Sequence, residues 1–162
     1  MFINIRPRLI DKFTLNSSLK DKILNQVPTY FTLIQKTYFI YKLLCMEFVY
    51  DEEFYYLNHS VPDKNHLALL RLSTLNGGEE IICSGFSLIF AKFLEEYNLS
   101  FEFLDYDNRK VNRLSNNHIK VRFMLGNYLI EADGADGLLH CDMTMQKTYG
   151  NRLKKLLVHI LT

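Results

Sequence analysis

The spacing of apolar residues changes from helical to alternating near Asn98. Before that point apolar positions recur every three to four residues. The strongest stripe is Cys83, Phe86, Phe90, Leu94 and Tyr97, with Ile89 and Phe93 beside it, and it predicts an apolar helix over 79–97. Asn76-Gly77-Gly78 ends whatever precedes it, which places Cys83 in the first turn of that helix. Upstream, Leu33, Ile34, Tyr38, Tyr41, Leu44 and Cys45 form a second stripe, predicting a helix from Thr29 or Thr32 to about Phe48. Ser17 or Ser18 is positioned to cap a shorter helix that runs to about Val27 and stops at Pro28. Asp63 is placed to cap a further short helix through Leu67, Leu70 and Arg71. Residues 1–16 read as an extended or irregular lead-in.

Beyond Asn98, Leu99, Phe101 and Phe103 alternate with Ser100, Glu102 and Leu104, as in a strand. A polar connection follows from Asp105 through Asn117. His118, Lys120 and Arg122 then alternate with Ile119, Val121 and Phe123; Gly126-Asn127 makes a turn, and 128–133 is the return strand. This hairpin is the clearest β signal in the chain. Residues 138–145 read as another short strand. Residues 150–161, with Leu153, Leu156, Leu157, Ile160 and Leu161, read as a final amphipathic helix or a tail with little order. The expected class is α+β: N-terminal helices and the Cys83 helix packed on a small antiparallel sheet from about 99–145.

Composition narrows the function. A chain of 162 residues with 48% hydrophobic residues is expected to form a single domain with a substantial core. A net charge of +1 gives no electrostatic reason to expect nucleic acid or an anionic membrane as partner. No apolar run reaches the length of a membrane span. The N-terminus lacks the apolar stretch of a signal peptide, so a cytoplasmic address is expected, compatible with export as an effector. Cys45, Cys83 and Cys141 are odd in number and widely spaced, which argues against a disulfide framework. His140-Cys141 with His59 or His66 matches no familiar zinc spacing, so neither metal nor cofactor is expected. Asp51-Glu52-Glu53 reads as a solvated run, and Tyr50, Tyr55 and Tyr56 as the edge of the core.

Three residues carry candidate chemistry. Backbone N–H groups and the macrodipole favour negative charge at a helix start, where Cys83 lies. Taken alone, Cys83 reads first as a small buried hydrophobe; Cys45, in mid-helix, reads as core. A short turn at Gly126 gives pairing partners whose numbers sum to about 251–253. His118 then faces Asp133 or a residue two positions away on the same face. Asp136 is the nearer rival to Asp133, and Asp142 a more distant one. A thiol nucleophile needs an imidazole to take its proton and a carboxylate to orient the imidazole. The order Cys83, His118, Asp133 offers that set.

The segments EIICSGFSLIFAKFLEEYNL (80–99), NHIKVRF (117–123) and NYLIEADG (127–134) resemble the transglutaminase-like superfamily. That group comprises the papain-like folds of transglutaminases, arylamine N-acetyltransferases, peptide N-glycanases and bacterial deamidase effectors. TYFIYKLLCMEFVYDEEFYYL (37–57) looks like the helix and turn before the cysteine in bacterial members, and the likeness spans about 30–147. The resemblance implies Cys83 as nucleophile, His118 as general base and then acid, and Asp133 as its orienter. The Cys83 backbone N–H becomes one oxyanion donor, with Asn76 a candidate for the second. It implies cysteine-dependent amide chemistry through a thioester on a protein or peptide substrate: glutamine transamidation, deamidation, or peptide-amide hydrolysis. The small size, without accessory β domains, points to the bacterial type. Many members carry an aromatic residue beside the cysteine and after the histidine, whereas here Ser84-Gly85 and Ile119-Lys120 follow them; where Pro is common after the aspartate, Gly134 stands. An acyltransferase using an acyl-CoA donor needs a nucleotide pocket that no motif supplies. The rival from another class is a catalytically silent module that kept the fold and binds a peptide between helices and sheet.

Overall fold

In the computed structural model, the helix around Cys83 begins at the cysteine itself and runs to Glu96. The structure describes residues 8–53, 71–111, 118–126, 128–133, 143–149 and 152–158, the last two stretches as backbone. The helices used below are α1 (Ser17–Leu24), α2 (Leu33–Glu47) and α3 (Cys83–Glu96). Their ends follow from capping chemistry. Asn16, rather than Ser17 or Ser18, caps α1, its Oδ1 accepting from the Ser18 N–H at 2.8 Å. Thr32 and Gln35 close a reciprocal capping box at the start of α2. At the end of α3, Asn98 adopts φ 55°, and the Asn98 and Leu99 N–H groups return to the Glu95 and Leu94 carbonyls. That Schellman geometry turns the chain into the sheet.

Residues 79–82 differ from the helical expectation. Val49–Tyr50 (β1) pairs in parallel with Glu80–Ile81 (β2). The Val49 N–H donates to the Glu79 carbonyl and the Asp51 N–H to that of Ile81. These bonds hold the backbone extended until Ile82, so helix formation waits for Cys83. The same pairing draws Asp51 inward. It is 6% exposed and lies 3.5 Å from Arg71, so it is not part of a solvated run, although Glu52 and Glu53 are exposed.

The main sheet is antiparallel and follows chain order: β3 (Phe101–Leu104), β4 (Lys120–Leu125), β5 (Tyr128–Asp133), β6 (Met143–Tyr149) and β7 (Arg152–Val158). β4 and β5 pair from Lys120↔Asp133 to Leu125↔Tyr128, a constant sum of 253, within the register expected from the turn. Gly126 at φ +57° supplies the left-handed turn residue. β7 corrects the expectation of a terminal helix or tail. The leucines of 153–161 are spaced for a helix, but β6 presents an open edge seven residues long, and its main-chain groups pair with Arg152–Val158 throughout.

One hydrophobic cluster joins these layers. It includes Leu9, Ile10 and Phe13 in and after the 3₁₀ turn Arg8–Lys12, so the described part of the lead-in is packed rather than irregular. Ile40, Tyr41 and Leu44 come from α2, Phe86 and Phe90 from α3, and Val121, Phe123 and Ile130 from the sheet. The rings of Phe90 and Phe123 meet edge to face at 5.9 Å between centroids. Burial on nearly every side explains why α3 is apolar beyond a single stripe. Cys45 is buried in α2, as its mid-helix position predicts.

Every residue of β3 is buried, Glu102 included, although alternation places Glu102 outside. Arg122, its cross-strand partner, donates to Glu102 Oε1 through Nε at 2.8 Å, and Lys110 approaches Oε2 at 3.5 Å. The returning chain, anchored by the Val111 N–H on the Phe103 carbonyl, brings Lys110 over that carboxylate.

Candidate active site

His118 stands just before β4 and Asp133 closes β5. Asp133 pairs with Lys120, so His118 lies two residues further along the same face, within diagonal reach. Its Nε2 sits 2.7 Å from Asp133 Oδ1. The histidine side chain is 3% exposed and the aspartate 24%. Cys83 lies close enough to the same ring to act on its charge. With Nε2 taken by the carboxylate, Nδ1 is the nitrogen left for sulfur. The fold thus brings Cys83, His118 and Asp133 together as a chain with the imidazole in the middle. Asp136, Asp142, His59, His66, His140, Cys141, Tyr55, Tyr56 and most of the helix expected after Asp63 lie outside the described residues.

Electrostatics favour a charged ring. Burial lowers the His118 pKa, but the Asp133 hydrogen bond, the Cys83 hydrogen bond and the negative charges of both partners outweigh it and raise it from 6.5 to about 9. The folded protein therefore holds an imidazolium at neutral pH, between the Asp133 carboxylate and the Cys83 sulfur.

Helix geometry adds donors. The N-cap of α3 is Ile82, whose side chain caps nothing. The first bond of the helix runs from the Phe86 N–H to the Ile82 carbonyl. The N–H groups of Cys83, Ser84 and Gly85 consequently have no carbonyl within the helix, and an oxyanion formed next to the sulfur meets an N-terminus of free donors. Gly85 lets this end approach β2 closely. A Cβ there would lie 3.3 Å from both Ile81 Cβ and Leu72 Cδ2, which leaves no room for an aromatic side chain two residues after the cysteine. Asn76 is exposed, in a loop whose Asn76 and Gly77 N–H groups are bound by the Glu79 carboxylate.

Tyr106, read from the sequence only as part of a polar connection, belongs to the site. Its ring stacks on that of His118, with centroids 4.1 Å apart and planes 12° from parallel. A tight turn holds it there. Asp105 Oδ1 accepts from the N–H groups of Asp107 and Arg109 at 2.8 and 2.9 Å, and Asn108 takes φ 60°. The signal available in sequence is the Asp105-Tyr106-Asp107-Asn108 string, which specifies the turn but not what its tip touches. An aromatic face against an imidazolium favours the charged ring.

Among the described residues no three His, Cys, Asp or Glu side chains converge as a metal site requires. Among the same residues no helix is long and apolar enough to cross a membrane. No protein-family model matches the chain, and no curated protein or solved structure matches it.

Proposed function

We propose that this chain is a thiol enzyme of the transglutaminase-like, papain-like type, acting on an amide of a protein or peptide through a thioester. The observation that carries the reading is the His118 ring held between Asp133 and the Cys83 thiol. Proton transfer from sulfur to imidazole gives a thiolate–imidazolium pair, with the carboxylate fixing the ring's tautomer and tilt. The thiolate attacks the amide carbon, and the oxyanion is received by the N–H groups at the start of α3. Collapse of this intermediate breaks the C–N bond. His118 gives its proton to the departing nitrogen, which leaves as ammonia from a glutamine side chain or as an amine from a peptide. The acyl group stays on Cys83 as a thioester. Water or an amine then attacks it, His118 takes the proton of that nucleophile, and the thiolate is released. Water gives deamidation or hydrolysis, and an amine gives transamidation.

The test is iodoacetamide labelling of Cys83 followed by mass spectrometry from pH 5 to 9, in the wild type and in His118→Ala. Rapid labelling at pH 6 that disappears in the variant supports the pair. Ammonia release from glutamine-containing peptides is then measured. Labelling of Cys83 that is indifferent to His118 overturns the reading in favour of a catalytically silent, peptide-binding module.

A further inference from the structure

We propose that Ser87 is a positioning residue that sets the distance between Cys83 and His118 by tying α3 to the backbone beside the histidine. The inference deepens the function proposed above. Ser87 is fully buried, and its Oγ donates to the Ile119 carbonyl at 2.8 Å. Both ends of this bond adjoin the site. Ser87 lies four residues after Cys83, one turn along the same helix face, and Ile119 follows His118 directly.

Two features set the bond apart from ordinary core satisfaction. A serine within a helix commonly returns its hydroxyl to a carbonyl of the preceding turn; this one crosses to the sheet. It also ends at a residue just before the β4 ladders begin, since pairing with β3 and β5 starts at Lys120. The backbone carrying His118 is thus outside the paired stretch and needs another anchor. Phe90 of α3 also meets Phe123 of β4 ring to ring. Apolar packing is non-directional and holds surfaces together without fixing their slide to a fraction of an ångström. A buried hydrogen bond does fix it, and thiol–imidazole proton transfer requires that tolerance.

Thr37 supplies an internal control. It is fully buried in α2, and its Oγ1 donates to the Ile34 carbonyl within the same helix. Thr37→Val and Ser87→Ala each remove a buried hydroxyl, and only the second removes the tie.

The experiment follows the His118 ring by NMR through a pH titration, alongside Cys83 alkylation at pH 6. Among the described residues, the groups facing that ring are Cys83 from α3, Asp133 from β5 and Tyr106 from the turn after β3. In Ser87→Ala the ring's titration midpoint moves down towards 6.5, its ordinary value, and alkylation at pH 6 slows about tenfold, in line with the steep cost of small misplacements. Thr37→Val keeps both at wild-type values, and Ser87→Thr, which retains the hydroxyl, restores them. Ser87→Cys keeps the volume with a weaker donor and serves if the alanine variant does not fold; its midpoint falls between the two. A wild-type His118 midpoint in folded Ser87→Ala, or in Ser87→Cys if the alanine variant is unfolded, overturns the proposal. Alkylation of Cys83 that ignores His118→Ala overturns the thiol-enzyme reading separately, because the NMR midpoint still reports on the tie.

Discussion

Tyr106 covers one face of the His118 ring at 4.1 Å while remaining 70% exposed itself. A residue so exposed contributes little to the core, and its ring lies against the imidazole. A cation–π contact at an exposed site is worth about 0.5–1 kcal/mol. Tyr106→Ala is therefore expected to lower the His118 titration midpoint by about half a pH unit. Global stability should change by less than about 1 kcal/mol. NMR titration with urea unfolding checks both. A larger loss of stability with the midpoint unchanged would assign Tyr106 to structure instead.

The His118–Asp133 pair makes stability depend on pH in a stated direction. The ring's folded pKa, about 9, exceeds its ordinary 6.5, so the folded state binds the proton more tightly. The resulting stabilisation is complete below about pH 6.5 and is lost as pH rises through about 9. Asp133→Asn keeps the shape and removes the charge. The stability gap between wild type and variant is expected to be about 1–3 kcal/mol at pH 6. By pH 10 it should have closed. Urea titrations at pH 6, 8 and 10 measure it, and a gap that widens with pH contradicts the assignment.

Exposure and reactivity make opposite forecasts for the two buried cysteines. Cys83 is 4% exposed and Cys45 7%, so burial alone forecasts equally slow labelling. Cys83 has the His118 imidazolium beside it. In the native protein at pH 6, Cys83 should label at least about tenfold faster than Cys45, because the thiolate is the reactive form. In urea the two should converge. Peptide-resolved mass spectrometry reads both sites at once, and equal native rates would count against the thiolate–imidazolium pair.

The loop leading into β2 tests the scaffold. Gly77 holds φ +110°, and a Cβ there would collide with Glu47 and Lys22, whose ion pair closes α1 onto α2. Gly78 holds φ +84° with open space around it. Gly78→Ala incurs only backbone strain of about 1 kcal/mol, while Gly77→Ala also displaces the ends of the Lys22 and Glu47 side chains and should lose up to about 1 kcal/mol more. Thermal unfolding of the two variants decides the order.

What the sequence determined by itself was local. Thr32 and Gln35 carry the start of α2 within four residues, and the apolar stripe of α3 is set by its own spacing. The β4–β5 register follows from Gly126 and the alternation around it, which is why the approach of His118 to Asp133 was legible. What the tertiary structure decided involved partners far apart in the chain. Residues 79–81 become extended because Val49, Tyr50 and Asp51 lie beside them. Residues 152–158 become a strand because the edge of β6 offers main-chain partners, and those outweigh a helical leucine spacing. Asp51 and Glu102 are buried because Arg71, Arg122 and Lys110 arrive from elsewhere, and a carboxylate's sequence neighbours do not announce a distant guanidinium or ammonium. Tyr106 and Ser87 were invisible as site residues for the same reason. A turn motif specifies its own backbone and a helix pattern its own buried face, but the ring beneath the turn and the carbonyl opposite the serine are chosen only when helix and sheet pack together.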